Sequence, residues 1–132
     1  NQSFKRTAAP PLNSSVRSHM THFRAFEVKA LRLLGNATLG DVAVDAICRD
    51  AEFVSYKYSG VGYFLTVRHH LLPTTRVVLH QPIVVGEVGD VTGSYLAFVQ
   101  DNELMLEYAA TTDVPEDFRD LPVRVELQGG AT

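Results

Sequence analysis

A single cysteine, Cys48, excludes a disulfide within the chain and makes a four-ligand zinc site of the usual cysteine-rich kind untenable. No apolar run approaches the ~18 residues that a membrane-spanning helix needs. The first residues lack the apolar core of a secretion signal, so a reducing cytoplasm is the expected compartment. Asn13-Ser14-Ser15 and Asn36-Ala37-Thr38 match the glycosylation sequon but then read as chance. Lys and Arg total 12 against 15 Asp and Glu, for a net charge of −3, and the cations are scattered. Non-specific binding of nucleic acid needs several phosphate-neutralising cations on one face. Adsorption to an acidic membrane needs a polybasic run. Neither partner is expected. There is no G-x-S-x-G elbow, no Walker loop and no dinucleotide fingerprint, so the sequence implies no cofactor and no catalytic residues.

At 132 residues and 14.6 kDa, surface scaling gives roughly 6,900 Å² folded against about 21,000 Å² extended. About two thirds of the surface can be buried, enough for one core without staples. Residues 1–19 stand apart. Ala8-Ala9-Pro10-Pro11 and Asn13-Ser14-Ser15 carry little apolar surface to offset ordering entropy, and Ser18-His19-Met20 resembles the scar of a cleaved tag. This segment is read as a disordered arm or a vector-derived stretch, with a docking arm as the alternative. Residues 20–132 are read as one domain.

Phe23, Phe26, Ala30, Leu33 and Leu34 recur at helical spacing, and Gly35-Asn36 is a stop signal. Thr38 with Asp41 three residues on resembles a capping box. It opens a second helix whose stripe is Leu39, Val42, Ala43, Ala46 and Ile47, ending near Arg49. From Phe53 the period changes to two: Val54-Tyr56-Tyr58, Tyr63-Leu65-Val67 and Val77-Leu79 alternate with polar or outward residues. Pro82 breaks the ladder before Ile83-Val84-Val85. Ser94–Gln100 and Glu103–Ala109 follow, joined by Asp101-Asn102 as a two-residue hairpin turn, and Val123–Leu127 is the last strand. Thr111 to Asp120 is an acidic loop. The expected class is α+β: two N-terminal helices packed on a mostly antiparallel, curved sheet or partial barrel of six or seven strands.

Several clusters invite functional readings. Gly60-Val61-Gly62 is followed by a strand rather than a helix, so it reads as a turn or bulge, not a phosphate cradle. Gly86, Gly89 and Gly93 read as shaping a loop between strands. His69-His70 with His80 suggests metal, but neighbours on a strand face opposite ways. Cys48 at a helix C-terminus sits where the dipole disfavours a thiolate and reads as packing. Glu103 and Glu107 lie about 13 Å apart along one strand face, wider than the ~6.5–9.5 Å of an inverting carboxylate pair. Asp113, Glu116, Asp117 and Asp120 gather around Pro115 and Phe118, a pattern suited to recognition of a basic protein.

Val54-Ser55-Tyr56-Lys57-Tyr58-Ser59-Gly60-Val61-Gly62-Tyr63-Phe64 resembles the pattern V-S-x-x-[YF]-[ST]-G-V-G-[FY]-F of a family of small, uncharacterised bacterial proteins. The similarity extends loosely to Phe26-Glu27 with Leu31 and Leu34, to Gly93–Gln100 and the strand from Glu103, and to Pro115-Glu116-Asp117-Phe118. It covers most of residues 23–125, with specificity only in the glycine motif. The resemblance implies a single-domain cytosolic protein, and some members resemble accessory proteins encoded beside bacterial toxins. No catalytic residue comes with it. The leading expectation is a non-enzymatic protein-binding module of immunity type, contacting a basic toxin domain through Glu116, Asp117, Asp120, Asp113 and Phe118. The alternatives are a small-molecule binder or enzyme with a pocket between sheet and helices, using Tyr56, Tyr58, Tyr63 and His80, and a homo-oligomer, such as a dimer, formed through a sheet edge.

Overall fold

The structure, a computed structural model, describes residues 22–130; the readings of residues 1–19 and of Met20 lie outside them. Helix α1 (Ala25–Leu39) and helix α2 (Asp41–Asp50) precede six strands: β1 (Glu52–Tyr58), β2 (Gly62–Arg68), β3 (Val77–Val88), β4 (Val91–Gln100), β5 (Glu103–Ala110) and β6 (Arg124–Leu127). They form one sheet in the order β1-β2-β5-β4-β3-β6, with every pairing antiparallel. The sheet is not closed, and the α+β architecture is the expected one. No described helix is long and apolar enough to cross a membrane.

The helices differ from expectation in where they break and in the face the second one buries: Thr38 and Leu39 belong to α1, so the Thr38 capping box does not form and Gly40 is the N-cap of α2. Gly35-Asn36 does not stop α1; the break is the single residue Gly40, at φ +91°. Gly35 lies inside the helix, where an added Cβ would meet Val44 Cγ2 at 3.3 Å. Its missing side chain therefore makes room for α2, a packing role that is identical to a stop signal when seen in sequence. The late break turns α2, so that Val44, Ala46, Ile47 and Cys48 are buried and Val42 is 77% exposed. Helix α1 packs across β3, β6 and β4, and α2 packs on α1.

Pro82 also acts differently. Its peptide bond with Gln81 is cis, and β3 continues through it as one strand whose register against β4 shifts between Leu79 and Val84. The shift supplies the bulge that a missing ladder N–H requires. The Asp101-Asn102 turn forms as expected, with positive φ at both residues (55° and 64°), the requirement of a two-residue hairpin that follows strand twist. Gly86 and Gly93 do not shape a loop. They lie in β3 and β4, where an added Cβ would come within 2.8 Å of the Tyr95 ring and 2.6 Å of the Tyr108 ring respectively.

Candidate functional site

The registers place one residue of each strand in a single row across the sheet. Tyr58 lies opposite Tyr63, Tyr63 opposite Tyr108, and Tyr108 opposite Tyr95. Four of the five tyrosines of the chain thus stand side by side on β1, β2, β5 and β4. Their rings are close: 6.1 Å between Tyr63 and Tyr108 centroids and 4.8 Å between Tyr95 and Tyr108. Phe118, in a short 3-10 turn (Phe118–Asp120), stacks on Tyr108 at 4.7 Å. Ring pairs of this kind contribute about 0.5–1.5 kcal/mol beyond area burial.

Glu27 and Arg119 lie over this row. Glu27 is in the first turn of α1, on the stripe that carries Ala30, Leu31 and Leu34, and is fully buried. Arg119 donates from Nε to Glu27 Oε2 and from an Nη to Oε1, both at 2.7 Å, and to the carbonyl of His22 at 2.7 Å. The Arg24 backbone N–H donates to Glu27 Oε1 at 2.7 Å, and the Tyr63 hydroxyl donates to Oε2. A carboxylate has about four acceptor positions; all four are occupied. The Tyr63 hydroxyl spends its hydrogen on the bond to the carboxylate, so the Tyr95 hydroxyl, 3.0 Å away, is the donor to Tyr63. Tyr108 donates to the carbonyl of Gly86 at 2.8 Å, and Tyr58 to that of Val114. The guanidinium also lies 5.4 Å from the Tyr56 ring centroid and 5.6 Å from that of Tyr63, within cation–π range.

This arrangement holds elements together. A bidentate Arg–carboxylate pair fixes geometry as well as charge, and here it ties the start of α1 to the end of the acidic loop, with β2 and β4 attached through hydroxyls. The acceptor positions of Glu27 all face donors of the protein itself. Burial works against the Arg119 cation, but the hydrogen bonds and charge of Glu27 overcome it and hold its pKa above the ordinary value. Burial, followed by the charge of Glu27, pushes the Tyr63 hydroxyl well up. Burial raises Tyr95 as well, and burial with the charge of Glu87 pushes Tyr108 up to about 12. Tyrosines ionise near pH 10 in an unfolded chain, so above that pH the unfolded state has released protons that the folded state still holds. The tyrosine contribution is therefore fully present below about pH 10 and falls as pH rises towards the folded-state values. The urea midpoint is expected to decline gently from about pH 8.5, where an unfolded thiol ionises and buried Cys48 keeps its proton, and to drop steeply at pH 10.5–11; a Tyr95→Phe variant should show a shallower steep phase.

The expected contact residues fall into two groups. Asp113, Glu116 and Asp117 are exposed, and none pairs with a cation among the described residues. Asp120 is exposed but bonded to Arg24 at 3.0 Å. Phe118 is 1% exposed and belongs to the tyrosine layer, so it offers no surface to a partner. The loop is anchored at both ends. Val114 is buried and its N–H donates to the Gly60 carbonyl at 2.9 Å, while Phe118 and Arg119 hold the other end.

Of the residues expected to line a pocket, Tyr63 is buried and Tyr58 half-buried, each with its hydroxyl engaged within the protein. Tyr56 is partly exposed beneath Arg119, and His80 is exposed on β3. The space between sheet and helices is occupied by the packed rings and by Leu31, Leu34, Ile47 and Leu79. His69 and His70 do not lie on a strand. They follow the end of β2, with rings stacked at 4.6 Å, so the opposite-face argument does not apply. His69 Nδ1 accepts the Leu71 N–H at 3.1 Å, and Nε2 therefore carries the proton and donates to Asp50 at 2.7 Å. Among the described residues no group of three or more His, Cys, Asp or Glu could hold a metal ion. Cys48 is buried, and burial pushes its thiol up to about 11. Glu103 pairs with Arg68 across the strands at 2.5 Å.

Sequence reasoning about candidate sites passed over Glu27, Arg119, Tyr95 and Tyr108. One signal for Glu27 was present: a carboxylate at the capping-box position on the apolar side of a helix. Arg119 was the single cation within the acidic loop. Compared with known protein families, with curated proteins and with solved structures, the chain matches none.

Proposed function

We propose that this chain is a non-enzymatic protein-binding module whose contact surface is centred on Asp113, Glu116 and Asp117. The observation that carries the reading is a set of three exposed loop carboxylates, Asp113, Glu116 and Asp117, that pair with no cation among the described residues, on a loop held in place at both ends. Carboxylates left unpaired create a local negative field that speeds encounter with a basic surface. A loop already anchored by Val114, Phe118 and Arg119 loses little entropy on binding. In its specific form, the module is a bacterial immunity-type protein acting in the cytoplasm, which neutralises a basic toxin domain by covering its working surface.

The test is affinity capture of the products of neighbouring genes on the immobilised chain. A basic protein is expected to bind at ~50 mM salt, to bind more weakly at ~500 mM as screening shortens the field, and to be lost with Asp113→Lys/Glu116→Lys/Asp117→Lys. No capture, or capture indifferent to both salt and the triple substitution, would overturn the reading.

A further inference from the structure

We propose that the outer edge of β1 receives an extended, cationic segment of the binding partner as a seventh strand, with its charged end against the acidic loop. This inference rests on the protein-binding reading and adds the mode of contact. β1 is terminal in the sheet, and among the described residues no strand pairs with its outer edge. Such an edge presents a row of unpaired N–H and C=O groups, and strand addition uses them for affinity while side-chain contacts supply selectivity. The other sheet edge is less suited: β6 covers only Val84–Glu87 of β3 and runs directly into a 3-10 turn.

The side chains of β1 agree with this use. Phe53 and Tyr56 stand opposite Val67 and Leu65, on the helix-bearing side of the sheet, yet they are 47% and 37% exposed because α1 lies over β3, β4 and β6 instead. They form an apolar shelf beside an open edge. At the far end of β1, the Tyr58 hydroxyl and the Gly60 carbonyl hold Val114, so the acidic loop, with Asp113 next to Val114, is tied to that end of the strand. Main-chain donors and acceptors and apolar contacts thus lie along β1, with the acidic loop tied to its Tyr58 end, a match for a strand that alternates apolar residues with Lys or Arg.

A second copy of this chain fits less well. Antiparallel pairing of β1 with β1 across a two-fold axis would bring each acidic loop towards the Glu52 end of the other strand, where Arg68 and Arg49 are already paired with Glu52 and Asp50. The register shift between Phe53 and Ser55 leaves Ser55–Tyr58 as the regular stretch of the edge.

The experiment uses two fluorescein-labelled ten-residue peptides of alternating valine and lysine, one unmodified and one N-methylated at alternate residues so that one edge cannot hydrogen-bond. Affinities are measured at ~50 mM salt and contacts are mapped by amide chemical shifts. The unmodified peptide is expected to shift amides of Glu52–Tyr58 together with those of residues 113–117, and the methylated one to bind at least tenfold more weakly. Equal affinity of both peptides, with shifts confined to 113–117, would overturn strand addition while leaving the acidic-loop reading intact. Shifts centred on β6, or a concentration-dependent dimer through β1 in the absence of peptide, would also overturn it. If neither peptide binds while a neighbour-encoded protein is still captured, the edge inference alone falls; failure of that capture is what removes the underlying reading.

Discussion

Glu27→Ala is expected to destabilise the protein by about 3–5 kcal/mol, the usual cost of removing one partner of a buried ion pair. Arg119, whose side chain is 14% exposed, would keep its charge and lose its carboxylate partner. The Arg24 N–H and the Tyr63 hydroxyl would each lose an acceptor as well. Against a typical total stability of about 5–15 kcal/mol, such a loss takes much of what holds the fold. A double variant separates the charge from the contacts. Replacing both partners with apolar residues of similar volume is often neutral or stabilising, so Glu27→Leu/Arg119→Met should be more stable than Glu27→Ala alone, though short of the parent because two donors stay unmet. Urea unfolding at neutral pH measures all three. A loss below ~1 kcal/mol in Glu27→Ala would mean that water or another group readily replaces the carboxylate, and that the clamp is not what orders the acidic loop.

Gly62→Ala should give little or no folded protein. A Cβ at this position would lie 1.7 Å from the Tyr108 carbonyl oxygen and 2.6 Å from its carbonyl carbon. Both atoms are backbone of the neighbouring strand β5, so no side-chain rotation can relieve the overlap, and β2 would have to part from β5 at the row of tyrosines. Losses above about 4–5 kcal/mol are exceptional for one substitution, and this one falls in that range. Gly60 makes the contrast. Nothing lies within 4 Å of its absent Cβ, but its φ is +91°, so Gly60→Ala should cost about 1–2 kcal/mol in backbone strain and Gly60→Val more. Soluble yield and thermal melting distinguish the two glycines. If Gly62→Ala folds normally, the close approach of β2 and β5 is wrong.

The glycine motif shows what could be read from order along the chain. Period-two alternation on either side of Gly60-Val61-Gly62 identified two strands and a turn, and excluded a phosphate loop because no helix follows. The same local rules located the Asp101-Asn102 hairpin and the first helix, through a stripe that included Ala30 and Leu34 but took Leu33 where Leu31 is the fully buried residue. Local rules misplaced the end of α1, because Gly35 is small for the sake of Val44 on the next helix. They misread Gly86 and Gly93, because the Tyr95 and Tyr108 rings that need those gaps reach them only once the strands are paired.

Element type, the antiparallel α+β class and the exposure of Asp113, Glu116 and Asp117 therefore follow from residue order, since propensity, periodicity and hydration act over a few residues at a time. The row of Tyr58, Tyr63, Tyr108 and Tyr95, the four-donor carboxylate of Glu27 and the free edge of β1 do not. Each depends on register and strand order between segments up to 92 residues apart, as Glu27 and Arg119 are. Those choices are made by the packing of the whole core, where a shift of one residue would turn every tyrosine of the row to the opposite face.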